Sequence, residues 1–231
     1  GVSKRFGGLR VFDDLSFELA PDSVLGVIGP NGAGKTTLIN VLCGMLAPSA
    51  GTVWLDGRDL TGATLHEVSR RGVVRTFQQT NTFASATVEE NLYRADRFSA
   101  ASAADLGLDA LLGEFGLASH LHDRSGDLPY GRQKMLGLLM ALSTRPRFLL
   151  MDEPAAGLER RERRHIDRYI EHARRVLGCG LLLVEHDMDM VRRLCPTILV
   201  LEAGRLLAEG PPAEVLARPD VIAAYLGTEE A

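Results

Sequence analysis

The sequence predicts an α/β fold with a mixed sheet, from three apolar runs and the segments between them. Residues 148–153 (FLLMDE) and 181–186 (LLLVEH) are continuous apolar runs that end in acidic or histidine side chains. Such runs are typical of parallel strands buried on both faces. A third run, residues 23–29 (SVLGVIG), leads through a glycine-rich turn into the apolar, helix-like segment 35–46. Strands that alternate with helices indicate helices packed against a sheet.

The other elements follow in chain order. Thr87 with Glu90 three positions later is the capping-box pattern of a helix start, and the pattern stays helical to about Ser125. Residues 197–204 and 205–210 predict a hairpin. Further strands are expected at residues 10–12, 14–19, 52–57 and 73–78, and further helices at residues 131–143, 158–177 and 212–227.

The composition limits the class of protein. The chain has 231 residues, 45% of them apolar, which supports a full hydrophobic core. A net charge of −4 leaves no basic excess for a nucleic-acid backbone, so no nucleic-acid partner is expected. Cys43, Cys179 and Cys195 stand in apolar segments and are expected to be buried thiols of a reducing compartment. No apolar run approaches the roughly 20 residues that cross a bilayer, and no signal-peptide pattern is recognised, which predicts a cytosolic chain.

Residues 29–37 (GPNGAGKTT) match the pattern G-x-x-x-x-G-K-[ST]. The glycines let the backbone turn tightly, so that successive N–H groups can point at phosphate oxygens. Lys35 adds a positive charge near the β- and γ-phosphates, and the Thr36 hydroxyl is suited to ligate Mg²⁺. A strand, a glycine loop and a helix start together form an anion site. The context therefore favours a nucleotide-binding loop over a plain glycine turn.

Asp152 and Glu153 come at the end of a buried run, where open α/β sheets bind their ligands. Asp152 suits a place just outside the direct ligands of Mg²⁺, and Glu153 suits a general base that orients the attacking water. The alternative is an acid pair that is satisfied by helix N-termini. The phosphate loop favours the catalytic interpretation.

Three further side chains carry open alternatives. His186 ends a strand expected to neighbour the Asp152 strand, which favours a γ-phosphate contact over a structural role. Gln78 can reach Mg²⁺ and the attacking water, or it can be a polar loop residue. Phe6 can stack on adenine, or it can be a core or edge aromatic residue.

In order and spacing, these motifs resemble those of ATP-binding-cassette (ABC) nucleotide-binding subunits. The matching segments are RFGG (5–8), GPNGAGKTT (29–37), TFQ (76–78), LPYGRQ (128–133), MDEP (151–154), AGLE (156–159) and VEHD (184–187). They look like the aromatic loop, Walker A, Q-loop, signature, Walker B, D-loop and H-loop of that family. The resemblance covers essentially the whole chain.

Finer features resemble one subfamily, the ATPase subunits of branched-chain (hydrophobic) amino-acid importers. These features are residues 2–19, RTFQQTNTF (75–83), DEPAAGL (152–158), VEHDMDMV (184–191), EGPPAEV (209–215) and VIAAYLG (221–227). There are departures from the family pattern. Pro129 replaces the signature Ser, and Glu159 replaces a commoner Asp. The helix after the signature lacks the usual Glu and Arg, and the family's first strand would lie upstream of Gly1.

The resemblance implies a P-loop NTPase (RecA-like) core at residues 1–80 and 144–231 and a helical subdomain at residues 81–143. It implies a homodimer, or a heterodimer with a paralogous ABC ATPase, in which each ATP and its Mg²⁺ lie between one subunit's Walker A and the other's signature. Two transmembrane permease subunits and a periplasmic or extracellular solute-binding protein are the implied partners, on the inner face of the cell membrane. The implied nucleotide-binding residues are Phe6, Gly29, Asn31, Gly32, Ala33, Gly34, Lys35, Thr36 and Thr37, and the implied signature residues are Leu128, Pro129, Tyr130, Gly131, Arg132 and Gln133.

Three functional classes compete at this point. The favoured one is the ATPase of an importer for branched-chain amino acids or a related small solute. The second is the ATPase of an export or lipid-extraction system, and the third is a soluble ABC protein without a permease. For a transporter, Phe83, Leu92 and Tyr93 near Gln78 predict a groove for a short cytoplasmic permease helix. The alternative is that these side chains pack inside the helical subdomain, which suits Leu92 equally well.

Overall fold

The computed structural model of the chain describes residues 1–76, 81–98 and 106–226. Gln78 lies outside these described residues. The strands, in chain order, are β1 (Val2–Phe6), β2 (Leu9–Leu15), β3 (Val24–Ile28), β4 (Trp54–Leu55), β5 (Arg58–Asp59), β6 (Val73–Thr76), β7 (Phe148–Asp152), β8 (Gly180–Val184), β9 (Thr197–Glu202) and β10 (Arg205–Gly210). The helices are α1 (Lys35–Leu42), α2 (Leu65–Ser69), α3 (Val88–Asp96), α4 (Leu108–Glu114), α5 (Tyr130–Ser143), α6 (Arg163–Leu177), α7 (Met188–Leu194), α8 (Pro212–Val215) and α9 (Pro219–Leu226).

Six strands form the central sheet, in the order β10-β9-β3-β8-β7-β6. All neighbouring pairs are parallel except β9 and β10, which form the expected antiparallel hairpin. The sheet is therefore mixed, as predicted. The expected adjacency of the strands that precede Asp152 and His186 is also confirmed, because β7 pairs with β8.

The three apolar runs are the most buried strands, since every residue of β3, β7 and β8 is buried. Successive side chains of a strand point to opposite faces, and the core divides accordingly. Leu149 and Leu181 belong to one apolar cluster, and Leu150 and Leu182 belong to the cluster on the other face. Both faces are thus covered, which explains why these strands are apolar throughout.

Residues 81–143 contain helices and two 3₁₀ turns, Ala118–His120 and Ser125–Asp127, and no strand within the described part of the segment. The start of α3 is the predicted capping box. The Thr87 hydroxyl accepts from the Glu90 N–H at 3.1 Å, and the Glu90 carboxylate accepts from the Thr87 N–H at 3.0 Å. The helix predicted at residues 131–143 is confirmed as α5.

Several boundaries differ from the expectations. The strand expected at residues 14–19 is wrong beyond Leu15, because the pairing of Leu15 with Val2 is the last pair of the β1–β2 ladder. β1 itself is not predicted by the pattern. The strand expected at residues 52–57 shrinks to Trp54–Leu55.

Three helices are shorter than expected. α1 ends at Leu42, and Gly44 follows with φ +77°. α6 begins at Arg163 rather than Leu158, after a run of turns. The C-terminal helix divides into α8 and α9, because the residue before Pro219 is disfavoured in helical conformation.

The three cysteines are free and buried, as expected. In the parts of the chain that the structure describes, no helix has the length and apolarity required to span a bilayer.

Candidate functional site

The carboxyl ends of three adjacent parallel strands carry the predicted chemistry. β3 leads to Gly29, β7 ends at Asp152, and β8 precedes His186. Parallel strands place these ends at one edge of the sheet, where such folds bind ligands. We call Gly29, Lys35, Thr36, Asp152, Glu153 and His186 the strand-edge site.

The phosphate loop depends on glycine geometry. Gly29, Gly32 and Gly34 have φ values of +148°, +81° and +98°, which side chains rarely tolerate. A Cβ atom at Gly29 would lie 2.1 Å from the carbonyl oxygen of Leu201. Among the described residues, no side chain caps the N-terminus of α1, so its first N–H groups are available to an anion.

Lys35 is buried at the start of α1. Its Nζ donates hydrogen bonds to the carbonyl oxygens of Gly29 at 2.6 Å and Pro30 at 2.9 Å. Burial lowers the pKa of Lys35, while the carboxylates of Glu153 and Asp152 oppose that shift. The loop thus holds a cation within the electrostatic range of both strand-end acids.

Asp152 is buried between two partners. The Thr36 hydroxyl donates to its Oδ1 at 3.5 Å, and the guanidinium of Arg75 contacts its Oδ2 at 3.1 Å. Burial raises the pKa of Asp152, and Arg75 and Thr36 counteract that rise. Arg75 also donates to the side-chain amide oxygen of Asn40. Arg75 was not among the predicted site residues; an arginine directly after the two valines of β6 was the available signal.

Glu153 and His186 meet at the same edge. Nε2 of His186 lies 3.1 Å from Oε1 of Glu153, and both side chains are partly exposed. Glu153 has φ +49°, and its N–H donates to the Val184 carbonyl at 2.9 Å. A left-handed φ is uncommon for a side chain without glycine's freedom. The backbone contact with β8 thereby helps to hold the Glu153 carboxylate beside His186.

The signature segment, residues 128–133, forms the entry to α5. Pro129 is the N-cap residue, with φ −55° and ψ 148°, and the helix begins at Tyr130. Gln133 donates to the Leu128 carbonyl at 2.8 Å. Nη1 of Arg132 lies 2.8 Å from Nε2 of His120. Pro129 therefore lies just outside the first turn and does not interrupt the helix.

Gly131 lies against Glu162, the residue just before α6. A Cβ atom there would approach Oε1 of Glu162, just before α6, to 2.1 Å. Tyr130 is exposed but its ring packs beside Gly157, where a Cβ atom would lie 3.0 Å from Cε1 of the ring. The signature segment therefore contacts the chain that follows Glu153.

The aromatic candidates are mostly on the surface. Phe6 ends β1 and is exposed, with Nζ of Lys4 4.8 Å from its ring centroid. Phe83 and Tyr93 are exposed, whereas Leu92 packs against the core. The buried Asn91 fixes the backbone of Phe83, accepting from its N–H at 2.8 Å and donating to its carbonyl at 3.2 Å.

A phosphate loop at the carboxyl edge of a parallel sheet, with a carboxylate–histidine pair beside it, defines a nucleoside triphosphatase of the P-loop class. Comparison with protein families then narrows the class. The ABC transporter family model matches residues 12–156, and the model of the branched-chain amino acid ATP-binding cassette transporter matches residues 205–231. The chain belongs to the ABC transporter ATP-binding family, whose members are ATPases.

Individual relatives agree over nearly the whole length. The chain is 38% identical to the high-affinity branched-chain amino acid transport ATP-binding protein LivG of Escherichia coli, over 98% of this chain and 96% of the relative. It is 36% identical to BraF of Pseudomonas aeruginosa over the same shares, and 33% identical to the lipopolysaccharide export ATP-binding protein LptB of Escherichia coli over 99% and 95%. The ADP conformation of an ATP-binding cassette of an ABC transporter superposes with a TM-score of 0.81 at 29% identity, over 98% of this chain and 96% of that chain.

Proposed function

We propose that the chain is the ATPase subunit of an importer for branched-chain amino acids or a related small solute. The geometry of the strand-edge site carries the ATPase part of the proposal. The match of residues 205–231 to the branched-chain amino acid family, with LivG and BraF as relatives, supports the solute class. The similarity to LptB favours one second candidate, an export or lipid-extraction ATPase.

In the proposed reaction, Glu153 is the general base for the attacking water and His186 contacts the γ-phosphate. The 3.1 Å contact between the two side chains supports this pairing. Lys35 and the loop N–H groups hold the β- and γ-phosphates. The remaining loop residues Asn31, Gly32, Ala33, Gly34 and Thr37 complete the cradle, and Gln78 is proposed to orient the water.

Thr36 and Gln78 are proposed to ligate Mg²⁺ directly, with Asp152 just outside the direct ligands. The Thr36 and Asp152 oxygens approach within 3.5 Å, and oxygen donors are what Mg²⁺ prefers. Among the described residues, no group of three His, Cys, Asp or Glu side chains could hold a metal alone, so phosphate oxygens and water would complete the coordination. When bound, Mg²⁺ supplies positive charge that neutralises the phosphate oxygens.

Two copies, or this chain and a paralogue, would close over two ATP molecules. Phe6 is proposed to stack on adenine, which its exposure supports. Residues 128–133 would meet the γ-phosphate bound by the partner, through the N–H groups at the start of α5. In this arrangement, residues 1–80 and 144–231 form the RecA-like core, and residues 81–143 form the helical subdomain.

Two permease subunits and an external solute-binding protein would complete the transporter, with this chain on the cytoplasmic face of the membrane. The exposed Phe83, near α3, is proposed to lie in the groove for a permease helix. The exposed Tyr93 belongs to the same proposed groove, whereas the packing of the partly buried Leu92 against the core supports the interior alternative for that residue.

The proposal is tested by reconstitution. The purified chain, assembled with its candidate permease subunits, is incorporated into liposomes with the candidate solute-binding protein. ATP-dependent accumulation of radiolabelled leucine, isoleucine or valine supports the import function. ATP hydrolysis that moves lipid or an outward-directed solute, with no uptake of these amino acids, supports the export alternative instead.

A substitution at Phe83 tests the proposed permease groove separately. Phe83→Asp should leave basal ATPase intact and abolish permease-coupled transport, because a charge replaces an apolar contact. Val176→Asp on α6 is the matched control, since Val176 and Phe83 are both 49% exposed. Normal transport by Phe83→Asp would place the groove elsewhere.

A further inference from the structure

The short segment after Glu153 is held from two sides by buried, oppositely charged side chains. Oε1 of Glu185 accepts a hydrogen bond from the Ala155 N–H at 3.0 Å. Nζ of Lys134 donates to the Ala156 carbonyl at 2.5 Å. Glu185 and Lys134 are each 4% exposed. Neither residue was among the predicted site residues.

Glu185 also contacts the second loop of the strand-edge site. Its Oε2 accepts from the His186 N–H at 3.1 Å. One buried carboxylate therefore bonds to the loop that carries Glu153 and to the loop that carries His186. Burial raises the pKa of Glu185, and hydrogen bonds from the Ala155, His186 and Asp187 backbones oppose that rise.

Lys134 belongs to the signature helix and follows the signature segment directly. Burial lowers the pKa of Lys134, and attraction to Glu185 and Glu153 opposes that shift. Burying a charged group costs free energy unless hydrogen bonds and opposite charges compensate it. A gain in stability is therefore a weak explanation for these two charged residues. Their position around the loop that follows Glu153 suggests that they hold that loop in place.

The loop itself requires such restraint. Glu153 has φ +49° and Gly157 has φ +76°, so the chain passes through two left-handed positions within five residues. Tyr130 packs beside Gly157, which gives the signature helix a second contact with the same loop. A displacement of α5 would thus reach Glu153 through both Ala156 and Gly157.

We propose that Lys134 and Glu185 are positioning residues for ATP hydrolysis, which together fix the Glu153 loop against His186 and connect it to the signature helix. The inference rests on the proposed function. In the closed dimer, the start of α5 meets the partner's ATP, while Glu153 acts on the ATP of its own subunit. When the signature helix engages the partner's ATP, Lys134 then aligns Glu153 with the ATP of its own subunit.

The test is a double-mutant cycle with Lys134→Met, Glu185→Gln and both together, assayed for kcat and for ATP affinity. Each single variant should lower kcat by about tenfold or more, since small misplacements of catalytic groups have effects of that order. The affinity for ATP should not change. The double variant should be no slower than the slower single variant, because both residues act through one loop.

Arg193→Met is the matched control. Arg193 forms a two-point ion pair with Asp167 between α7 and α6, with contacts of 2.9 to 3.2 Å; Arg193 is exposed and Asp167 is partly buried. Its loss should leave kcat unchanged. Glu185→Gln preserves the side-chain shape, so it keeps the test available if Lys134→Met does not fold.

Wild-type kcat in either single variant overturns the inference, and so does a fall in kcat that is matched by an equal fall in ATP affinity. Additive losses in the double variant also overturn it. If the unaltered chain hydrolyses no ATP, the proposed function itself fails. If it hydrolyses ATP and the variants equal it, only the present inference fails.

Discussion

The strand-edge site and the signature segment face opposite physical demands. The first collects charged side chains at the ends of β3, β7 and β8, and buried strands fix their positions. The second presents the start of one helix, where Pro129 has neither a hydroxyl nor an N–H to offer. The strand-edge site therefore acts through its side chains, whereas the signature segment acts through its backbone.

The difference predicts different sensitivities to mutation. In the strand-edge site, changing one functional group should remove a chemical step while the fold survives. In the signature segment, the space around the backbone should matter more than the identity of a side chain. Each prediction below tests one side of this contrast.

The largest effect is expected from Glu153→Gln, which keeps the shape but cannot take a proton. Loss of a general base lowers turnover by about 100- to 10,000-fold. The variant should bind ATP and accumulate as a closed dimer, seen by size-exclusion chromatography with ATP. Lys35→Ala is the contrasting variant, because it should weaken ATP binding itself. Near-normal turnover in Glu153→Gln would remove Glu153 from the mechanism.

Gly131→Asp should abolish ATPase activity almost as completely. The new carboxylate would meet Glu162, because a Cβ atom at Gly131 already lies 2.1 Å from Oε1 of Glu162. It would also face the partner's phosphate, and like charges brought together cost several kcal/mol. ATP-driven dimerisation, measured by sedimentation, should disappear with the activity.

The neutral variant Gly131→Ala separates crowding from charge. It introduces the same Cβ atom, and pairing it with Glu162→Ala removes the crowded carboxylate. Recovery of activity in that pair shows that space decides the effect. A Gly131→Asp variant with normal ATPase would contradict the role given to the signature segment.

Pro129→Ser should have a smaller effect and in the opposite direction. Pro129 already has the extended backbone that an N-cap serine adopts. A serine hydroxyl could donate a charge-assisted hydrogen bond to the partner's phosphate, worth about 1.5–3 kcal/mol. ATP-driven dimerisation should therefore be maintained or increased. Clearly lower ATPase activity would show that the proline is required and that this explanation is wrong.

Asp187→Ala should have the smallest effect on activity. Asp187 caps α7 by accepting from the Asp189 and Met190 N–H groups, both at 3.1 Å. Losing such a cap costs about 1 kcal/mol of the free energy of unfolding. Because the cap lies on α7 and outside the contact between Glu153 and His186, turnover at pH 7 should stay within about twofold.

The effect of Asp187→Ala on stability should depend on pH. The hydrogen bond from Met190 holds the pKa of Asp187 below its ordinary value of 3.8. The cap therefore stabilises the protein above that ordinary pKa, and the contribution is lost as the pH falls through the lowered pKa. Denaturant titrations should show a difference between the variants at pH 7 that shrinks below about pH 4. A difference that is constant with pH would show that the carboxylate is not the cap.

Patterns along the chain predicted much of the frame. The apolar runs of β3, β7 and β8, the capping box at Thr87 and the hairpin of β9 and β10 are confirmed, because each depends on neighbouring residues and a fixed period. The predictions for Gln78 and for the roles of the site residues stay predictions. β1 was not predicted, because its pairing with β2, rather than a pattern in its own sequence, makes it a strand.

The tertiary structure alone decided which partners the buried charged side chains contact. Arg75 lies 77 positions from Asp152, Glu185 lies 30 from Ala155, and Lys134 lies 22 from Ala156. The sequence by itself determined the phosphate loop, since its glycines and its lysine all lie within residues 29–37. Contacts between distant segments depend on strand order and helix packing, and burial then makes a partner necessary for each charge. No local pattern contains that information, because the cost of burying a charge exists only once the chain has folded around it.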